Sequence, residues 1–186
     1  MKKLILFGDS ITAGYFDGFI STMLTSGLKA QLPHMEIINV GIPGDTTDGA
    51  LTRVQKHVIN RHPDYVTIFF GSNDAALDSQ VPIERYEENL QQIIQQIGAE
   101  KVFLITPALA NQAVQEANRP TETLLKYGQV VRNLAATYQT QLIDLQQTMY
   151  DLSDYTDLLQ PDGFHFSKAG YAFLVEQIVQ ELKRAN

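Results

Sequence analysis

Leu4-Ile5-Leu6-Phe7-Gly8-Asp9-Ser10-Ile11-Thr12 begins with four consecutive apolar residues and breaks at a glycine and an aspartate. A short apolar run closed by turn residues reads as a buried strand. The pattern returns at residues 37–40, 65–70, Val102–Ile105 and 141–144. Between these runs, apolar residues recur at steps of three and four. Leu51, Val54 and Val58 form one such face, and Ile83, Tyr86, Leu90, Ile93, Ile94 and Ile97 a second. Leu124, Tyr127, Val131, Leu134 and Tyr138 form a third, and Tyr171, Leu174, Val175, Ile178, Val179 and Leu182 a fourth. Pro82 suits a first helical turn, Gly98 a helix stop and Ser167 an N-cap. Residues 16–32, with Gly27 among them, are less regular.

Alternating strands and helices predict an α/β fold, a three-layer α/β/α sandwich around a five-stranded parallel sheet. Five strands on this length suit a flavodoxin-like order, 2-1-3-4-5. No linker-like stretch divides the chain, so residues 1–186 are read as one domain. Segments 107–121 and 152–164 lack a pattern and exceed the usual connection length, which marks them as candidate binding loops.

Composition narrows the function classes. The net charge is −7 and no basic cluster stands out, which disfavours a nucleic-acid surface. There is no cysteine, so disulfide and thiolate chemistry are absent. The apolar start stops too early for the core of a signal peptide, and no stretch is long enough to span a bilayer. With Met1 in place, a cytoplasmic protein is expected. The phosphate and dinucleotide fingerprints are missing. Asp9 and Asp45 are isolated as metal ligands, with no His-x-x-x-His or clustered His/carboxylate set beside them. No metal or cofactor is expected.

Ligands of open α/β sheets bind beyond the carboxyl ends of the strands. Three polar clusters fall on that edge: Gly8-Asp9-Ser10-Ile11-Thr12, Gly41-Ile42-Pro43-Gly44-Asp45-Thr46 and Gly71-Ser72-Asn73-Asp74. His34 and His62 precede strands, and His57 belongs to a helix. Only His165 lies in a loop returning to the carboxyl edge, with Asp162 three residues before it. A serine hydroxyl needs a base to become a nucleophile, and the base needs a partner that sets its tautomer. Ser10, His165 and Asp162 are the candidates for these roles. An oxyanion needs preorganised donors. The candidates are the N–H groups of Ser10 and Gly44 and the Asn73 amide, helped by the positive end of a helix after Ser10. Each cluster alone is an ordinary turn, cap or tight connection. Their meeting on one edge favours catalysis. The Gly-x-Ser-x-Gly elbow is absent, Thr12 standing where its second glycine would be.

These residues resemble the SGNH (GDSL-like) hydrolase family along essentially the whole chain. Phe7-Gly8-Asp9-Ser10-Ile11-Thr12 looks like its first block, and Asn39-Val40-Gly41-Ile42-Pro43-Gly44-Asp45-Thr46 like its second. Gly71-Ser72-Asn73-Asp74 is similar to the third block and Asp162-Gly163-Phe164-His165 to the fifth. Residues 67–76, Val81-Pro82-Ile83, Ile105-Thr106-Pro107 and Phe166-Ser167-Lys168-Ala169-Gly170-Tyr171 look like the isoamyl acetate-hydrolysing esterase branch. That branch carries a proline-rich stretch where this chain has Thr106-Pro107-Ala108-Leu109-Ala110, a loop expected to shape the acyl pocket. The resemblance implies a serine esterase acting on small-molecule esters, with Gly44 and Asn73 completing the oxyanion site. Deacetylation of sugars, lysophospholipase or thioesterase activity, and a non-catalytic acyl- or sugar-binding module remain open alternatives.

Overall fold

The structure is a computed structural model and describes residues 1–185. In chain order it comprises β1 (Lys2–Gly8), α1 (Ser10–Ala13), a hairpin of β2 (Tyr15–Phe16) and β3 (Phe19–Ile20), α2 (Met23–Gln31) and β4 (Met35–Asn39). There follow α3 (Thr47–His57), β5 (Tyr65–Phe69), α4 (Ile83–Ile97), β6 (Val102–Ile105), α5 (Gln112–Gln115) and α6 (Thr121–Tyr138). The chain ends with β7 (Gln141–Ile143), α7 (Leu145–Tyr150) and α8 (Lys168–Arg184). The five main strands form one sheet in the order β4-β1-β5-β6-β7, every neighbour parallel. Counted among themselves, these strands run 2-1-3-4-5, the flavodoxin-like order.

Side chains on a strand alternate between faces, and β1 shows what this produces. Leu4 and Leu6 enter a core built with α2, α7 and α8, while Ile5 and Phe7 enter a second core built with α3, α4 and α6. All four are fully buried, each contributing roughly 1.5–3 kcal/mol. A strand covered on both faces must be apolar throughout, which is why residues 4–7 show no alternation. Ser167 caps α8, its Oγ accepting from Gly170 N–H at 3.2 Å.

Some boundaries differ from the sequence reading for local reasons. Residues 16–32 resolve into the β2–β3 hairpin and α2, because two-residue strands are too short to show a period. The last strand stops at Ile143, where Asp144 turns to cap α7 by accepting from Gln147 N–H. The helix after Ser10 is a single four-residue turn, so it contributes little of the dipole expected from a longer helix.

One buried side chain closes the carboxyl edge. Arg53 on α3 donates Nη2 to the Gly8 carbonyl at 3.0 Å and Nη1 to the Val40 carbonyl at 2.7 Å. Its Nε donates to the Asp45 carboxylate at 2.7 Å. The guanidinium also lies over the Phe7 ring, 4.5 Å from its centroid. Ile42 N–H continues the ladder to the Gly8 carbonyl at 3.0 Å, so Arg53 adds a second donor there and supplies the donor to Val40. Arg53→Met would take the donor from the Val40 carbonyl and leave the part-buried Asp45 carboxylate without its cation. Urea unfolding of this variant is expected to show a stability loss of about 3 kcal/mol or more; a loss under about 1 kcal/mol would show that water replaces the guanidinium.

Candidate active site

Ser10 is placed by the end of β1. Asp9 caps the turn, its Oδ1 accepting from Ile11 N–H at 2.9 Å. Thr12 folds back over Gly8, where a Cβ would lie 2.0 Å from Thr12 Oγ1 and 2.6 Å from the Phe69 carbonyl. Any side chain at residue 8 would therefore push the turn away from β5. The close approach that the hydrolase elbow makes at its second glycine is made here one residue before Asp9.

His165 arrives from the loop between α7 and α8. Its Nε2 lies 2.9 Å from Ser10 Oγ and its Nδ1 2.7 Å from Asp162 Oδ2. Asp162 Oδ1 accepts from the N–H groups of Phe164 and His165 at 3.1 and 3.0 Å. The carboxylate thus spans the turn and the ring together. Burial opposes its ionisation, but the hydrogen bonds from the His165 ring and the two N–H groups outweigh it and hold the carboxyl below its ordinary value. An ionised Asp162 accepts a hydrogen bond from Nδ1–H, which leaves Nε2 as the acceptor facing the serine hydroxyl. Burial lowers the affinity of His165 for a second proton; Asp162 counteracts this and the Arg119 charge reinforces it, for a net shift below the ordinary imidazole value. Ser10 is 4% exposed and His165 9%, so both are nearly withdrawn from solvent.

The imidazole is also held by rings. Tyr15 packs against it at 4.2 Å between centroids and Phe164 at 3.8 Å, each tilted by less than 40°. Tyr15 is fixed through its carbonyl, which accepts from Tyr171 Oη at 2.9 Å and Gln160 Nε2 at 3.3 Å. Segment 107–121 braces the far side of the turn. Asn111 N–H donates to the Gly163 carbonyl at 2.7 Å, and Gln115 Nε2 to the Asp162 carbonyl at 2.7 Å. Its first part, residues 107–110, is buried, with Ala108 and Leu109 in one core and Ala110 in the other. The segment expected to line an acyl pocket is thus largely core and brace.

Gly44 and Asn73 come together through a shared loop. Gly44 adopts φ +76°, a left-handed conformation that favours glycine. The next residue, Asp45, is anchored by Arg53 through its carboxylate and accepts from Asn73 Nδ2 at 2.9 Å through its carbonyl. Asn73 Oδ1 accepts from Arg119 Nη2 at 3.4 Å. Two carboxyls lie buried nearby. Burial pushes Asp9 up to about 7 against the Ile11 hydrogen bond, and Asp74 and Asp45 add to the rise. Burial pushes Asp74 up to about 6 although Thr47 donates to it. Among the described residues, no three His, Cys, Asp or Glu side chains gather as a metal site would require.

Four residues that matter to this geometry escape a reading of the sequence: Tyr15, Arg53, Gln115 and Arg119. Each bonds or packs on groups far away in the chain, and none sits in a recognisable motif.

The model of the GDSL-like Lipase/Acylhydrolase family matches residues 6–173. The human isoamyl acetate-hydrolyzing esterase 1 homolog is 30% identical, over 95% of this chain and 79% of its own length. The acetylxylan esterase of Geobacillus stearothermophilus is 26% identical, over 97% of this chain and 94% of its own length. Among solved structures, the lipase/acylhydrolase from Enterococcus faecalis superposes with a TM-score of 0.95 at 40% identity, covering 99% of this chain and 96% of that one. The chain belongs to the GDSL-like lipase/acylhydrolase family and is a carboxylic ester hydrolase of α/β architecture.

Proposed function

We propose that this chain hydrolyses short-chain carboxylic esters through an acyl-enzyme on Ser10. The observation that carries the reading is the unbroken relay from Asp162 through His165 to Ser10, at 2.7 and 2.9 Å. Ser10 Oγ attacks the ester carbonyl carbon as its proton passes to His165 Nε2. Asp162 stabilises the resulting imidazolium and keeps its orientation. The carbonyl oxygen becomes an oxyanion, held by the N–H groups of Ser10 and Gly44 and by Asn73 Nδ2. The C–O bond breaks, and the alcohol leaves with the proton from His165. Water then attacks the acyl-enzyme, losing a proton to His165, and the acid departs as Ser10 regains its hydrogen.

Acetate is the proposed acyl group. The names of the human and Geobacillus relatives both specify an acetyl ester, one on an alkyl alcohol and one on a polysaccharide. The second of these favours an alternative reading, deacetylation of a decorated sugar by the same residues. Comparing isoamyl acetate with acetylated xylo-oligosaccharides by kcat/KM separates the two.

Two measurements test the chemistry. Ser10→Ala should lose p-nitrophenyl acetate turnover by about a thousandfold or more, and a fluorophosphonate should label the parent protein on Ser10. Turnover of the alanine variant at the parental rate would refute the nucleophile. The base must be neutral to accept a proton, and its affinity for protons is lowered. The rate should therefore rise with pH through a single ionisation below about 6.5 and be level at neutral pH. A limb still rising above pH 7.5 would contradict His165 as the base.

A further inference from the structure

Arg119 stands in the connection between α5 and α6, is only 7% exposed, and has no assigned part in the chemistry above. Its hydrogen bonds go to neutral acceptors. Nε donates to the Ser72 carbonyl at 3.0 Å, Nη1 to Gln115 Oε1 at 3.0 Å and Nη2 to Asn73 Oδ1 at 3.4 Å. Its Cζ lies 3.9 Å from the centre of the Phe164 ring, and Phe164 packs on His165. A buried guanidinium satisfied by amides rather than by a carboxylate is expensive to desolvate. If filling space were the only requirement, a Met or Leu would do so at lower cost.

We infer that Arg119 is a positioning residue: it locks the Asn73 amide so that its N–H faces the developing oxyanion, and through Phe164 it holds His165 against Ser10. This rests on the proposed acyl-enzyme reading. Donors and acceptors fix the orientation of the amide. A guanidinium has only donors, so the atom of Asn73 facing Arg119 must be Oδ1. The Asp45 carbonyl is only an acceptor, so the atom facing it must be Nδ2. Both contacts forbid the flipped amide, which would present oxygen to oxyanion and abolish one donor. One N–H of Nδ2 is used on Asp45, and the second is left for the substrate. Donation to Oδ1 also polarises the amide, making that second N–H a stronger donor.

Arg119 acts on the base as well as on the amide. The groups around His165 are Ser10 from α1, Tyr15 from β2, Asp162 from its own turn and the Arg119 charge from the neighbouring connection. Arg119 in turn faces Asp78, Asp9 and Asp162. Removing its charge takes away a repulsion from the imidazolium, so the acid limb of the rate should move to higher pH.

The test uses Arg119→Met and Arg119→Lys, alone and combined with Asn73→Ala, assayed on p-nitrophenyl acetate across pH. Arg119→Met should lower kcat by about a hundredfold with KM changed less than threefold, and its acid limb should shift upward. Arg119→Lys keeps the charge but not the planar fork; it should lose part of kcat and keep the parental limb. In the Asn73→Ala background either replacement should cost clearly less than it does in the parent, since the amide it orients is gone and only its hold on His165 remains. A parental kcat in both variants overturns the inference, and so does a loss of full size in the Asn73→Ala background. Should Arg119→Met fail to fold, the lysine variant and its double mutant decide by the same criteria. Parental turnover by Ser10→Ala, in contrast, would sink the acyl-enzyme reading itself.

Discussion

The carboxyl edge of the sheet is closed by one guanidinium, and the geometry around Ser10 depends on it. Parallel strands that end at different heights leave carbonyls without ladder partners. Here Arg53 donates to the Val40 carbonyl, joins Ile42 N–H on the Gly8 carbonyl, and also grips Asp45. The Gly8 carbonyl lies two residues before Ser10, and Asp45 lies one after Gly44. A single side chain from α3 therefore ties the strand that leads into Ser10 to the loop that carries Gly44. Asn73, bonded to the Asp45 carbonyl, extends the same frame to the end of β5.

That frame is crowded with charge, and the charges are arranged unequally. Asp9 and Asp74 are both buried, and burial raises both. Each therefore keeps its proton to a higher pH than an exposed carboxyl would. The cations are not neutralised in the same way. Arg53 has Asp45, but Arg119 is bonded to amides and a carbonyl. The Arg119 guanidinium thus lies beside the Asn73 amide, where negative charge develops in the proposed reaction.

How much of this could be read from the sequence depends on the range of each contact. The sheet was legible because burial on both faces of β1, β5 and β6 produces apolar runs without alternation, broken only by Thr67 in β5. The bond between Asp162 and His165 was legible because it closes within one turn. That Ser10 meets His165, 155 positions apart, could be inferred only by sorting histidines according to sheet edge. The hairpin escaped, its strands being two residues long. Arg119 escaped for a different reason: its partners Ser72, Asn73, Gln115 and Phe164 are scattered, and an arginine in an unpatterned loop reads as solvated. The role expected for segment 107–121 was altered by burial. The family resemblance assigned Ala108, Leu109 and Ala110 to a loop shaping the acyl pocket, yet they enter the two cores, leaving the polar residues 111 and 115 to hold the histidine turn.

The proposed nucleophile and base are thus held by different kinds of structure. Ser10 sits at the end of the central strand, on a turn that Gly8 and Asp9 determine locally. His165 sits in a loop and depends on the hairpin, on α5 and on Arg119 for its place. The contacts on His165 also differ in direction. Tyr15 and Phe164 pack at small tilts against the ring and resist its tipping, whereas Nδ1 is held by one hydrogen bond in the ring plane. The Nε2 end of the ring meets Ser10 Oγ, at 2.9 Å. In the proposed reaction Nε2 must take a proton from Ser10 Oγ and deliver it to a leaving oxygen bonded to the same carbon. The two oxygens are neighbours, so the ring has little distance to cover. Restraint of its tilt and of its Nδ1 end is therefore compatible with a shuttling base, and the loops around His165 supply that restraint.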